Sequence, residues 1–396
     1  MSTDTNFAGN HYRLLRDLGR FRLIVGNPRA SADFAVYTFN ANGWLVGWYR
    51  GGTAYRCGLD GRALAVRCAE AQGRRFQRSY ELSGTELETE CCEAKRVLDN
   101  WRHSEDYREL PVRLLGKTPQ QVGGHFKRIW QRVAILPPDQ YAAAVVRLTQ
   151  GCAYNRCRFC SFYKDVPYRV LSRDEFAVHL DEAESFFENE LEERRGVFFA
   201  DANAANADVD ILLSALAILA QRAEAVPAWR KCWSGGAASF LDTFSKNERS
   251  AEHWRNLCAA GLKSLYLGVE TGSESLRRYW KKPGSAGDII ALADNLKSAG
   301  ISLGVIVLSG AEPEFVANGH REATVQLLNS LPLDSRDRIY ISEYQPIREF
   351  SSDAAYVEYR SACRVYTDEL KAGLRFAAYP QGPVVSLYDV WQFLYI

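Results

Sequence analysis

The spacing of hydrophobic and polar residues changes near residue 137. Between residues 34 and 70, short runs of β-forming residues (AVYTF, GWLVGWYR, AYRCGL, ALAVRC) follow one another. Asn42-Gly43, Gly51-Gly52 and Asp60-Gly61 separate them at hairpin spacing. This pattern predicts small antiparallel strands. Residues 85–103 set Glu against Lys and Arg at helical spacing, with Leu98 and Trp101 on one side, and predict a helix. A looser stretch follows and ends at Pro137-Pro138. This pair lacks amide donors and restricts the residue before it, which marks a boundary.

Beyond the boundary, strand and helix patterns alternate. The first strand is expected at about 143–149. Ser172-x-x-Glu175 is a capping box that opens a helix running to about 194. The second strand is Gly196–Ala200, followed by a helix at about 208–225. The third strand lies at either Trp229–Trp233 or Ala237–Leu241, before a helix near 249–260 that stops at Gly261. Strand four is Ser264–Val269, with helices from Glu274 to Trp280 and over about 286–298. Strand five is Ile301–Leu308, then a helix near 319–330, and strand six is Arg338–Ser342. Six strand–helix units joined by short connections imply a parallel sheet, and right-handed crossovers curl it into an open or closed barrel. The fold class expected is α/β, a partial (β/α)6 TIM-like barrel over 136–350. A small α+β accessory domain occupies 1–135, and a C-terminal extension, 351–396, adds a helix and a final strand in VVSLYDVWQFLYI.

Composition narrows the function classes. The 396 residues are 47% hydrophobic and 24% charged, a globular balance that excludes a disordered or fibrous chain. A net charge of +1 leaves no broad electrostatic footprint for nucleic acid, so no nucleic-acid partner is expected. No apolar run approaches bilayer-spanning length, and the opening MSTDTNFAGNHYRLLRD has neither a signal core nor a transit-peptide bias. A cytoplasmic protein with no membrane partner is the expectation.

The candidate chemistry lies in the cysteines. Of ten, Cys57, Cys68, Cys232 and Cys258 sit in apolar or strand-like contexts, Cys91 and Cys92 are adjacent in a charged helix, and Cys363 has no neighbour. Cys152, Cys157 and Cys160 differ: they form C-x4-C-x2-C in GCAYNRCRFCSFYKD, directly after the strand-like Ala143–Leu148. Three thiolates this close can converge on one metal centre. Iron–sulfur clusters normally take four cysteines, so three leave one iron open to a non-protein ligand. A structural zinc site usually shows a second ligand pair, and the six histidines (11, 103, 125, 179, 253 and 320) are scattered singly. Zinc with a distant fourth ligand and three unrelated thiols remain the alternatives.

With the cysteines placed after the first barrel strand and aromatic Phe159 just before the third, the chain resembles the radical S-adenosylmethionine (SAM) superfamily. The G-C-x-Y-N-x-C-x-F-C form is similar to an uncharacterised subgroup of it. The superfamily's commonest spacing is C-x3-C-x2-C; here the first gap holds one residue more. Phe199-Ala-Asp-Ala-Asn-Ala204 follows strand two, where the superfamily often has Gly-Gly-Glu. Gly268-Val-Glu-Thr-Gly272 ends strand four in a form common there. The resemblance spans roughly 136–345. It implies a 4Fe–4S cluster on the three cysteines, SAM chelated at the open iron, and reductive cleavage of SAM that starts radical chemistry on a small-molecule substrate. It also implies a one-electron donor such as flavodoxin or ferredoxin.

The resemblance suggests further roles, each with an ordinary structural alternative. Phe159 packs against adenine or orders the loop. Asp201 and Asn203 hold the SAM ammonium, or form a turn that caps the next helix. Glu270 accepts hydrogen bonds from ribose or the ammonium, or is a helix N-terminal charge. Ser309 and Gly310 approach adenine with backbone, or make a simple turn. Tyr340 and Glu343, at the end of strand six, act catalytically or follow strand alternation. His320 points at the site or caps a helix. Arg156, Lys164 and Arg169 meet an acidic electron donor or form a solvated face, and Arg277, Arg278, Lys281 and Lys282 read as a solvated helix end. No D-x-H-x-x-G cobalamin motif and no Cys-rich extension for auxiliary clusters is present, which argues against cobalamin-dependent methylation. Aminocarboxypropyl-radical transfer from SAM by the same cluster, and a zinc-stabilised non-catalytic binding protein, stay open as alternatives.

Overall fold

The computed structural model describes residues 2–7, 10–17, 19–26, 34–71, 74–102, 108, 110–243, 249–310, 319–344, 352–378 and 381–396. It divides into two compact units. One comprises Met1–Leu136, Asp181–Arg194 and Trp391–Ile396; the other comprises Pro137–Leu180 and Arg195–Val390.

The first unit is an antiparallel meander of eight strands, each paired with the next: β1 Ser2–Phe7, β2 Asn10–Asp17, β3 Arg20–Val25, β4 Ala35–Phe39, β5 Leu45–Arg50, β6 Thr53–Cys57, β7 Ala63–Ala71 and β8 Arg74–Glu81. The four expected strands are β4–β7. Gly51 and Gly52, both at positive φ (57° and 77°), make the two-residue turn between β5 and β6. The sequence reading missed β1–β3 and β8; in β3, arginines occupy the outward positions. Arg20 and Arg22 are exposed while Phe21, Leu23 and Val25 are buried, and the charges mask the period of two. Helix α1, Gly84–Trp101, opens on a Ser83/Glu86 capping box. Its buried face, including Leu87, Val97, Leu98 and Trp101, joins Tyr12, Leu23, Tyr37 and Trp48 of the sheet in one core. Glu90 of α1 also takes hydrogen bonds from Trp48 Nε1 (2.9 Å) and Arg50 (2.7 Å). Helix α2, Pro119–Trp130, has the same kind of cap at Thr118/Gln121.

The second unit is built on parallel strands β9 Ala144–Arg147, β12 Val197–Ala200, β13 Ala237–Leu241, β14 Leu262–Glu270, β15 Ser302–Ser309, β16 Arg338–Glu343 and β17 Val384–Leu387. Their spatial order is β17-β16-β15-β14-β13-β12-β9. A two-stranded ladder of β10 Thr149–Gln150 and β11 Arg169–Val170 stands apart. The helices are α3 Arg173–Phe187 (from Asp181 on, part of the first unit), α4 Val209–Ala225, α5 Pro227–Trp233, α6 Ala251–Ala259, α7 Glu274–Tyr279, α8 Ala286–Ser298, α9 His320–Ser330 and α10 Asp353–Gly373. The Ser172–Glu175 capping box forms as expected, at 2.8 and 3.2 Å.

Two expectations are corrected here. Of the two places proposed for strand three, Ala237–Leu241 is the strand. Trp229–Trp233 belongs to helix α5, which Pro227 starts at its first position. The C-terminal segment supplies the expected helix, α10, and strand, β17, but β17 pairs in parallel with β16 and makes seven strands where six were expected. The sheet is also curled. Asp139 precedes β9, and β16 is five strands away, about 24 Å across a flat sheet. Yet Tyr340 of β16 donates to Asp139 Oδ1 at 2.7 Å. The curl turns the C-terminal strand ends toward a shared mouth, where ligands of parallel-strand folds gather.

Candidate active site at the strand C-terminal ends

The cysteine loop is closed at its base. The β10/β11 ladder joins its two stems, and Asp201, leaving β12, accepts the Gly151 N–H on Oδ2 at 2.9 Å. The Asp201 N–H returns to the Thr149 carbonyl at 2.9 Å. Within the loop, Cys152 Sγ accepts the Asn155 N–H at 3.3 Å and lies 3.9 Å from Asn203 Nδ2. The loop is also tied to the turn after α7: the Arg158 N–H donates to Trp280 O (2.9 Å) and the Tyr154 hydroxyl to Lys281 O (2.7 Å). Phe159 packs its ring 5.1 Å from Trp280, which stacks on Tyr344 at 5.4 Å. The structure therefore gives Phe159 a packing partner that orders the loop.

The three thiols are free and half-buried. Burial pushes Cys157 up to about 12 against the pull of the Lys282 charge. Burial also raises Cys160, while the Phe162 backbone N–H works the other way. A metal centre would have to displace these protons and stabilise the thiolates. Amide donors on the Cys152 sulfur are what an iron–sulfur thiolate receives, so the donor set fits a cluster. Among the described residues no three His, Cys, Asp or Glu side chains are drawn in to single-ion distance. A cubane asks for less, since each thiolate binds its own iron.

A second group forms where β14 ends. A bulge at Gly268/Glu270 and a φ of 63° at Glu270 turn the chain sharply. A left-handed carboxylate residue is uncommon and concentrates at functional sites. Gly272 is required by close approach: a Cβ there would stand 2.1 Å from the Ala323 carbonyl oxygen. Glu270 is buried with Lys282 and Asp242. Lys282 Nζ donates to the Asp242 carboxylate and stands 3.6 Å from Glu270 Oε1. Burial opposes the Lys282 ammonium, but the two carboxylates outweigh it and hold it charged. Burial raises the Glu270 carboxyl, with Lys282 opposing. The charges of Lys282, Asp242 and Glu270 all act on Cys157, which places this cluster beside the cysteine loop.

Arg277 and Lys282 correct the expectation of a solvated helix end, being 1% and 7% exposed. Arg277 donates to the carbonyls of Val269 (2.8 Å), Thr271 (3.2 Å), Pro283 (2.6 Å) and Gly284 (2.6 Å), clamping the Glu270 turn to the segment that follows Lys282. His320 is fully buried. Its Nδ1 meets Thr271 Oγ1 at 2.8 Å, its ring stacks on Tyr366, and burial lowers it to about 4, so it is a neutral part of the wall. Ser309 Oγ accepts from Thr367 of α10 at 2.8 Å, and Gly310, which follows it, is buried at positive φ (79°).

The two residues expected to be catalytic are placed elsewhere. The Tyr340 hydroxyl is committed to Asp139, which also accepts Tyr266 (2.7 Å) and Arg338 (3.1 Å), at the N-terminal end of the strands. The strand pattern gave no sign of this, because the hydroxyl's direction depends on the curl. Glu343 is paired with Arg360 (2.5 Å) and Arg364 (3.7 Å) of α10. It anchors that helix instead of presenting a carboxylate to the site. Sequence reasoning missed Asp242, Lys282 and Arg277. Asp242 directly follows Ala237–Leu241 and was legible only once that segment was known to be the strand.

Comparison with known proteins bears on this site. Residues 146–314, which carry the cysteines, Asp201, Asp242, Glu270 and Lys282, match the Radical SAM superfamily. No curated protein matches the chain. Among solved structures, the chain is similar to the radical S-adenosylmethionine methyltransferase TsrM from Kitasatospora setae (17% identity, 54% of this chain and 41% of that one, TM-score 0.37). It is also similar to coproporphyrinogen III oxidase HemN from Escherichia coli (13%, 62% and 56%, 0.38) and to Streptococcus suis SuiB bound to S-adenosylmethionine (9%, 85% and 72%, 0.39). The chain spans about two fifths of the methyltransferase's length. No helix among the described residues is long and apolar enough to cross a membrane. Residues 146–314, with three loop cysteines after the first strand of a parallel sheet, form a radical SAM domain, and the cofactors of that superfamily are a 4Fe–4S cluster and SAM.

Proposed function

We propose that the protein is an enzyme that cleaves SAM reductively at the Cys152–Cys157–Cys160 loop and starts radical chemistry on a small-molecule substrate. The supporting observation is that a loop of three free thiols lies beside a buried group of two carboxylates and one ammonium, Asp242, Glu270 and Lys282. When bound, the cluster supplies one electron to the SAM sulfonium and breaks a carbon–sulfur bond.

The chain's own residues bind, orient and exclude water. Glu270 receives a cationic or diol group of SAM; a cation beside it opposes the upward pull of burial on the carboxyl. Lys282, held by Asp242, keeps the Glu270 side chain facing the loop. Asp201 orders the loop's entry through Gly151, and Asn203 directs its amide at the Cys152 sulfur. Gly310 offers backbone to the adenine. Phe159, Trp280 and Tyr344 exclude water from one side. The electron comes from a small donor such as flavodoxin or ferredoxin, and the exposed Arg156, Arg158 and Lys164 on the cysteine loop suit an acidic one.

The test is anaerobic reconstitution with iron and sulfide, incubation with SAM and dithionite, and mass spectrometry of the products. 5′-Deoxyadenosine, absent with Cys157→Ala, supports the reading. Methylthioadenosine in its place supports aminocarboxypropyl transfer. Neither product from a loaded protein rejects SAM cleavage.

A further inference from the structure

The first cysteine gap is one residue longer than the superfamily's commonest spacing, and Asn155 lies within it. Its φ of 49° is left-handed, a conformation that Asn tolerates better than most residues. The turn aims the Asn155 N–H at Cys152 Sγ, 3.3 Å away. Its carbonyl accepts Lys164 Nζ at 2.8 Å, and the same ammonium donates to the Cys157 carbonyl at 3.0 Å. Its side-chain Nδ2 donates to the Tyr163 carbonyl at 2.6 Å, three residues past the last cysteine. One residue thus touches the first cysteine's sulfur, the second cysteine's backbone through Lys164, and the far limb of the loop.

We propose that Asn155 is a positioning residue of the cluster loop. Its left-handed turn takes up the extra residue of the longer gap and holds a backbone N–H donor on the Cys152 sulfur. The inference rests on the cluster reading above. Hydrogen bonds to ligating sulfurs help set a cluster's reduction potential, so the turn acts on redox poise as well as on assembly. The side-chain bond to Tyr163 secures the turn but does not define it.

Two variants separate turn from side chain. Asn155→Gly keeps the left-handed conformation and the N–H while losing the amide. Asn155→Val disfavours the conformation, because a β-branched residue at positive φ is an outlier. Wild type and both variants are reconstituted side by side. Iron and sulfide per chain, the electron paramagnetic resonance spectrum of the reduced protein and its reduction potential are then measured. Far-ultraviolet circular dichroism of the unreconstituted proteins reports folding.

The expected result is wild-type iron content, spectrum and potential for Asn155→Gly. For Asn155→Val, iron content falls at least twofold, with a lower potential in the fraction that loads. Wild-type values for Asn155→Val overturn the proposal, as does an Asn155→Gly protein as depleted as Asn155→Val. If Asn155→Val does not fold, Asn155→Gly decides alone: a wild-type potential supports the turn, and a depleted or shifted cluster overturns it. A wild-type protein that takes up no iron overturns the cluster reading and this proposal with it. A loaded wild type with an indifferent Asn155→Val overturns only the role of the turn.

Discussion

The two ends of the parallel strands use buried polar groups in opposite ways. At the N-terminal end, Asp139 is saturated. Tyr340, Tyr266 and Arg338 all donate to it, and Gln140 donates to the Tyr266 hydroxyl at 2.7 Å. At the C-terminal end, Glu270 sits on a left-handed backbone with its carboxyl raised by burial, and its nearest cation is also bound to Asp242. A saturated carboxylate ties secondary structure together. A buried carboxylate that shares its nearest cation with a second carboxylate is ready for a ligand. The same contrast explains why tyrosines that look reactive in the strand pattern lie at the closed end.

Predictions that could break the comparison follow from that difference. Cys157→Ala should have the largest effect, abolishing cluster uptake and all SAM cleavage, read as iron content and product formation. Glu270→Gln should weaken SAM binding about ten- to hundredfold, the worth of one charge-assisted hydrogen bond. It should do so without lowering the melting temperature of the unreconstituted protein at pH 8. Because the folded carboxyl is raised, its contribution to stability is complete below the ordinary Glu range and declines as pH rises through the folded value. The amide removes that decline, so the variant should melt at the same temperature or higher. A clear loss of stability at pH 8 would make Glu270 a structural residue like Asp139.

At the other end, Asp139→Asn should cost about 1–3 kcal/mol in denaturant unfolding, since it disturbs three donors, while the folded protein keeps wild-type SAM affinity. Tyr340→Phe should cost about 1 kcal/mol and leave SAM cleavage intact. The smallest effect concerns pH. Buried His179 accepts the Arg147 N–H at 2.8 Å, and burial lowers it to about 3. Its contribution to stability is full above the ordinary histidine value and is lost as pH falls from about 6.5 toward 3. The melting temperature should therefore drop across that range, and His179→Gln should flatten the drop.

Much of this arrangement was legible before folding. The cysteine spacing, the Ser172–Glu175 cap, and the positions of β9, β12 and β14–β16 follow from local pattern, whereas β13 was one of two candidate segments. The cysteine loop and Glu270 share the mouth because parallel strands put their C-terminal ends on one side. Less legible was whatever depends on tertiary direction. Lys282 and Arg277 belong to a charged run, and only the fold turns them inward while Arg278 and Lys281 stay exposed. Tyr340 and Glu343 end the right strand, but the curl sends one side chain to Asp139 and α10 claims the other. Strand β3 was hidden by the arginines on its outward face.

The central claim is that the cysteine loop and the Glu270–Lys282–Asp242 group form one SAM site, and that the Asp139 end lies outside it. The most direct measurement is the electron paramagnetic resonance spectrum of the reduced, reconstituted protein with and without SAM, for wild type, Glu270→Gln and Tyr340→Phe at one SAM concentration. The account predicts that SAM perturbs the spectrum of wild type and Tyr340→Phe alike and leaves Glu270→Gln unchanged. A Glu270→Gln spectrum that shifts as the wild type does, or a Tyr340→Phe spectrum that does not shift, would contradict it.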